Sequence, residues 1–206
     1  MANSPEETTD EVVIVPEPVI VAAPMPRLVR KRFAHVSNYS QVRRRKTLFI
    51  VVHATDGHEG PRKDDDVAAM FAKPLPPGSA RSCTWVVDTD SFTQCVPDGC
   101  TAWHCGRTAN RISEGIEFCG RANQSRAQWF DALSFPMLCL GARLIAWRAK
   151  VLGLPIDFID ADGLRAGQSG ITTHAEVSKA WRESKHTDPG PHFPISELLS
   201  AARRAT

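Results

Sequence analysis

A chain of 206 residues is long enough to bury one ordinary hydrophobic core, and 42% hydrophobic with 23% charged residues places it among soluble globular proteins. A formal net charge of +2 is too small to argue for a nucleic-acid partner. The apolar stretch 12–23, VVIVPEPVIVAA, is broken by prolines and a glutamate and follows acidic residues, so it fits neither a secretory signal nor a membrane span.

Residues 1–26 mix Pro, Val and acid without a period, and they are expected to be disordered or loosely attached. The basic stretch 27–46, RLVRKRFAHVSNYSQVRRRK, continues this tail as a solvated linker or as a patch for an anionic polymer. It lacks the interleaved aromatics of an RNA- or DNA-binding platform. The folded domain is expected over residues 47–206. TLFIVVHA (47–54) is a continuous apolar run and reads as a buried central strand. DDDVAAMFAK (64–73) reads as a short helix with acids in its first turn and Pro74 as its stop. CTWVVDTDSFTQCV (83–96) reads as two strands around a turn at residues 88–91, and EGIEFCG (114–120) as another short strand. The clearest helix begins at Ser134, expected as its cap, with Pro136 in the first turn. Met137, Leu140, Leu144, Trp147 and Val151 form one apolar stripe, and Gly153 and Pro155 end the helix. Strands followed by a long helix imply an α/β fold with a central mixed β-sheet flanked by helices. With no signal, the six cysteines (83, 95, 100, 105, 119, 139) are expected as free apolar thiols in a chain made in a cytoplasm.

The candidate chemistry lies in the histidines and in HTDPGP (186–191). His53 closes the buried strand, at the rim of a sheet where ligand sites are commonly built. His174 lies in GITTHAEVS, and Asp188 follows immediately before Pro-Gly-Pro, which stiffens the turn around it. Two histidines and a carboxylate suit a zinc ion with one open position, yet the separation in sequence leaves hydrogen-bonded rim residues equally open. Cys95, Cys100, His104 and Cys105 are a weaker zinc set, since their spacing is irregular and adjacent ligands are awkward.

In this order the pieces resemble the zinc-dependent N-acetylmuramoyl-L-alanine amidases of the phage-lysin and peptidoglycan-recognition-protein type, over nearly all of residues 47–195. FIVVHATDG resembles the first strand with its zinc histidine, and WVVDTDSFTQCVPDGCTAWHCG the hairpin leading to a Trp-His-x-Gly segment. EGIEFCG resembles the strand with the catalytic glutamate, MLCLGARLIAWRAKVLGLP the helix on the sheet, and TTHAEVS…HTDPGP the closing ligands. THAEVSKAW and HTDPGP are most similar to actinobacteriophage lysins. The resemblance implies His53, His174 and Asp188 as Zn2+ ligands and Glu117 as general base. The reaction it implies is hydrolysis of the amide between N-acetylmuramic acid and L-alanine of peptidoglycan.

His186 stands where many relatives carry a lysine, and the resemblance makes it a donor to the oxyanion or the leaving amine. Some relatives use a tyrosine on the hairpin, whereas the only tyrosine here is Tyr39, in the tail. His104, Thr55 and Trp103 match the substrate cleft. His35, His58 and His192 match no role. We therefore expect a monomeric endolysin that acts on the wall after release, with a non-catalytic peptidoglycan-binding module as the alternative. Retention of all candidate ligands and of Glu117 weighs against that alternative.

Overall fold

The computed structural model describes residues 18–25, 29–42, 45–76 and 78–206. In chain order its elements are β1 (Arg30–Lys31), a 3₁₀ turn (Val36–Asn38), β2 (Tyr39–Ser40), β3 (Phe49–Ala54), α1 (Lys63–Phe71), β4 (Trp85–Val87) and β5 (Phe92–Gln94). These are followed by β6 (Thr101–Ala102), α2 (Arg107–Asn110), β7 (Ser113–Phe118), α3 (Arg126–Trp129) and α4 (Ser134–Leu152). The chain ends with α5 (Ala161–Arg165), β8 (Gly170–Thr173), α6 (His174–Trp181) and α7 (Ile195–Arg203). The main sheet has six strands in the order β1-β5-β4-β7-β3-β8. It is mixed: β4 and β5 form the antiparallel hairpin, while β4, β7, β3 and β8 run parallel. β2 and β6 make a separate antiparallel pair.

β3 is apolar apart from His53 because both of its faces are covered. Ile50, Val52 and Ala54 join one core cluster with Met137, Leu144 and Ile145 of α4 and Leu198 and Leu199 of α7. Phe49 and Val51 join the opposite cluster with Ala109, Leu164 and Val177. α4 approaches the sheet closely at Gly141, where an added Cβ would lie 2.2 Å from Cε1 of Phe118. Arg148 of α4 binds Glu114 with both ends of its guanidinium, at 3.0 and 2.9 Å, in the protein interior. Removing one partner of such a buried pair costs about 3–5 kcal/mol.

Three expectations change. Ser134 is the first residue of α4 rather than its cap; Asp131 Oδ1 accepts from the Leu133 and Ser134 N–H groups at 2.9 and 2.8 Å. Val151 is exposed, because the buried face of α4 turns toward Leu138, Ile145 and Ala149. A loosely attached segment up to residue 46 does not describe residues 18–25 and 29–42; residues 1–17, 26–28 and 43–44 lie outside the described residues. Ile20 is buried against α4 and α7, and β1 extends the sheet in parallel beside β5. Asn38 is fully buried and donates to the carbonyls of Phe71 and Lys73 at 2.7 and 2.8 Å, satisfying orphan acceptors at the end of α1. The basic pattern that suggested a linker is also the pattern of a charged edge strand.

Candidate active site

Alternation along β3 puts His53 in the row of Phe49 and Val51. β7 lies parallel beside it with Glu117 opposite His53, so both side chains leave the same face. On the other flank, β8 pairs Thr173 with Val52, and the next residue, His174, opens α6. Thr173 caps that helix by accepting from the Glu176 N–H at 3.3 Å, which fixes how His174 enters. The turn after α6 brings Asp188 over the strand ends, where its carbonyl accepts from the Ala175 N–H at 3.0 Å. Gly190 has φ +97 and seats against Ala122; a Cβ there would fall 1.7 Å from the Ala122 carbonyl oxygen. The turn therefore requires glycine.

His53, His174 and Asp188 are buried, with candidate ligand atoms within 4.8 Å of one another, the one such group among the described residues. Nδ1 of His53 lies 3.0 Å from Asp188 Oδ2, and Nδ1 of His174 lies 3.0 Å from Oδ1. The outer nitrogens are held too. His53 Nε2 is 2.8 Å from His104 Nδ1, and His104 Nε2 is 3.2 Å from Ser113 Oγ. Ser113 donates to the Ala109 carbonyl at 2.8 Å. His174 Nε2 is 3.0 Å from Ser184 Oγ.

The proton positions along this chain follow from its far end. A carbonyl only accepts, so Ser113 spends its hydroxyl proton on Ala109 and must accept from His104 Nε2–H. With Nδ1 of His104 turned to His53 as an acceptor, the matching tautomer of His53 carries its proton on Nε2. That leaves the bare Nδ1 lone pair of His53 facing a carboxylate at 3.0 Å. Two acceptors at that distance call for positive charge between them. A nitrogen–nitrogen–oxygen donor set with its outer nitrogens oriented by hydrogen bonds suits a zinc ion.

The electrostatics agree. Burial lowers the His53 pKa despite the Asp188 carboxylate beside it, favouring neutral imidazole. Burial works to raise the Asp188 carboxyl, but the His174 and His53 imidazoles against it hold it below the usual carboxylate range. Burial, aided by the Asp188 charge, pushes Glu117 up to about 8. Oε2 of Glu117 is buried without a hydrogen-bond partner.

A cavity of about 1000 Å³ brings together the site residues that the resemblance implies, His53, His174, Asp188, Glu117, His186, His104, Thr55 and Trp103, and none of the cysteines of the weaker zinc set lines it. His186 is 70% exposed at the rim, its ring stacked on His174 at 4.8 Å and its Nδ1 3.7 Å from Asp188 Oδ1. Thr55 Oγ1 accepts from the Gly57 and Gly120 N–H groups, tying the loop after β3 to the end of β7. Trp103 is half-buried; its N–H donates to Ser82 Oγ at 3.2 Å and its carbonyl accepts from the Ser82 N–H at 3.0 Å. His104 touches a metal-set histidine directly, an orienting position that its place in the sequence did not reveal. Ser113 and Ser184 went unnoticed, since a lone serine carries no signal of what it faces. His58, given no role, lies exposed on the cavity wall. None of the six cysteines forms a disulfide with another.

The family profile for N-acetylmuramoyl-L-alanine amidase matches residues 43–191. The chain belongs to that family. No curated protein matches the amidase. Among solved structures, Staphylococcus aureus hydrolase AmiA in complex with its ligand aligns at TM-score 0.60 and 16% identity, over 88% of this chain and 84% of that one. A mutant endolysin from Bacillus subtilis aligns at 0.57 and 19%, over 87% and 99% of the two chains. The amidase LysC from Clostridium intestinale aligns at 0.56 and 15%, over 87% and 99%. At these identities the likeness speaks for the fold, a mixed sheet flanked by helices. No helix among the described residues is long and apolar enough to cross a membrane.

Proposed function

We propose that this amidase hydrolyses the bond between N-acetylmuramic acid and L-alanine of peptidoglycan as a zinc enzyme, with His53, His174 and Asp188 as the metal ligands. The observation that carries the reading is the convergence of His53 Nδ1 and His174 Nδ1 on the two Asp188 oxygens, each at 3.0 Å, with His104 2.8 Å behind His53. Bound there, zinc would supply Lewis acidity, polarising the scissile carbonyl and acidifying water.

Glu117 takes the proton from the attacking water. Glu117 lines the same cavity as His53 with Oε2 unpartnered, and its raised pKa makes it a strong base once nearby positive charge favours the carboxylate. The proton then passes to the leaving L-alanine nitrogen. His186, at the rim, donates to the oxyanion or to that amine. Trp103, Thr55 and His104 line the channel for the muramoyl-peptide, and His104 also fixes the tautomer of His53. The endolysin among the structural neighbours supports a lytic role on host wall, by a monomer released from the cell that made it.

Purified sacculi treated with protein, with and without chelator, test the reading. The expected result is new L-alanine amino termini at a rate that chelator abolishes and zinc restores. Binding to sacculi without new amino termini, in zinc-loaded protein, would sink the hydrolase and leave the binding module.

A further inference from the structure

Beside the candidate active site lies a second cavity, of about 710 Å³, with Arg45, Arg107 and Arg111 in its lining and no acidic residue. Trp103 lines both cavities, so the two adjoin across one indole. Among the described residues no carboxylate forms an ion pair with Arg45 or Arg111, while Glu183, near Arg107, is bonded to the backbone and hydroxyl of Thr108 at 2.8 and 2.6 Å. Part of the wall is Ser40 and Thr101, partners in the β2–β6 ladder. Ser40 lies outside the span 43–191 that matches the family, so part of this wall comes from the N-terminal arm.

We infer that this second cavity is a substrate subsite that binds a carboxylate on the neighbouring peptide of the same glycan strand. The inference rests on the peptidoglycan reading above. In this reading the strand that places one muramoyl-peptide in the active-site cavity continues past Trp103, the residue shared by both cavities. Its next repeat carries a peptide that ends in a carboxylate. Guanidinium groups bind carboxylates in a planar, two-pronged way, and the indole offers a flat apolar face to a sugar ring. Three guanidinium groups around an open cavity repel one another, and an anionic ligand relieves that repulsion.

The test uses full-length, zinc-loaded protein and three soluble substrates: one disaccharide-peptide unit, two units on one strand, and two units with the peptide carboxyls amidated. Wild type should show kcat/KM about tenfold higher on the acidic two-unit strand than on the other two, through KM. Arg107→Ala/Arg111→Ala should lose that preference, and Arg107→Lys/Arg111→Lys should recover part of it; melting midpoints and zinc content check each variant's fold. Equal kcat/KM on the acidic and amidated strands, or a preference that survives the double alanine variant, overturns the subsite. So does a preference seen only on walls bearing phosphodiester polymers and lost when these are stripped, since the anion recognised is then phosphate. If no substrate is cleaved at all, the hydrolytic reading fails by itself. Anisotropy of the same strands on Glu117→Gln protein still decides the subsite: tighter binding of the acidic strand supports it, and equal binding overturns it.

Discussion

Gly115→Ala isolates the orienting role of His104. Gly115 sits in β7 directly beneath that imidazole: a Cβ there would stand 2.7 Å from His104 Nδ1, 3.0 Å from its Cε1 and 2.5 Å from Cys83 Sγ. Ordinary contact begins near 3.4 Å, so roughly 0.7–0.9 Å must be conceded on two sides. His104 cannot concede that much and keep its 2.8 Å bond to His53 Nε2. Losing the outer partner of a metal-binding histidine typically lowers affinity about 10–100-fold, or roughly 1.4–2.7 kcal/mol. Overpacking adds a stability loss of about 1–3 kcal/mol. The two effects separate in the double variant Gly115→Ala/Cys83→Ala, which frees the thiol side: stability should return while affinity stays low. Competition against a chelating dye gives the zinc Kd, and thermal melts give the stability. Wild-type zinc affinity in a folded Gly115→Ala protein would refute the argument, because His53 would then be aligned without His104.

Glu117→Gln should keep fold and zinc while turnover on sacculi falls about 10²–10⁴-fold, the usual worth of a general base; near-normal release of L-alanine termini would remove it from the reaction. His186→Ala should retain zinc and lose about 10²–10³ in kcat, with partial return in His186→Lys; full activity in the alanine variant would leave His186 a rim residue only. Asp88 is buried beside Asp64, and burial, then the Asp64 charge, raises its pKa from 3.8 to about 7. Between these values the folded state holds a proton that the unfolded state has released, so stability should fall as pH rises from about 4 to about 7. Glu117, raised from 4.5 to about 8, adds a decline of the same sign. Urea midpoints in chelator should show that slope, and Asp88→Asn should make it shallower; an unchanged slope would show that Asp88 has no part in it. Gly190→Ala should weaken zinc binding by displacing the turn that carries Asp188, and unaltered metal content at limiting zinc would argue against it.

The elements legible in the sequence were those whose pattern is local. β3 announced itself as a continuous apolar run, the β4–β5 hairpin by its turn residues, and α4 by helical spacing ended at Gly153, which does adopt φ +66. The two-residue strands β1, β2 and β6 exist because partners lie ready to pair with them, and no pattern that short can show it. α6 and α7 were passed over as well. α7 buries Leu198, Leu199, Ala201 and Ala202 against α4, but its short run of small residues looks weak until α4 is there to receive it.

The site was legible as an inventory and not as an arrangement. His53, Glu117 and His174 are neighbours because β7, β3 and β8 are adjacent parallel strands, and each carries its residue at the carboxyl end or one step beyond. Ligand crevices in open α/β sheets form at that edge. The crossovers that set this order consume long stretches of chain, so spacing in the sequence carried almost no information about proximity. Asp188 is different in kind. It comes from a turn rather than the sheet, and a turn holds a carboxylate in place only if its backbone is fixed from outside. Gly190 pressed on the Ala122 carbonyl and the Ala175 N–H on the Asp188 carbonyl supply that fixing. The stiffness of Asp-Pro-Gly-Pro thus has a physical reason. Without it the only anionic member of the metal set would be free to swing into water, and the histidine lone pair it faces would have nothing to share a cation with.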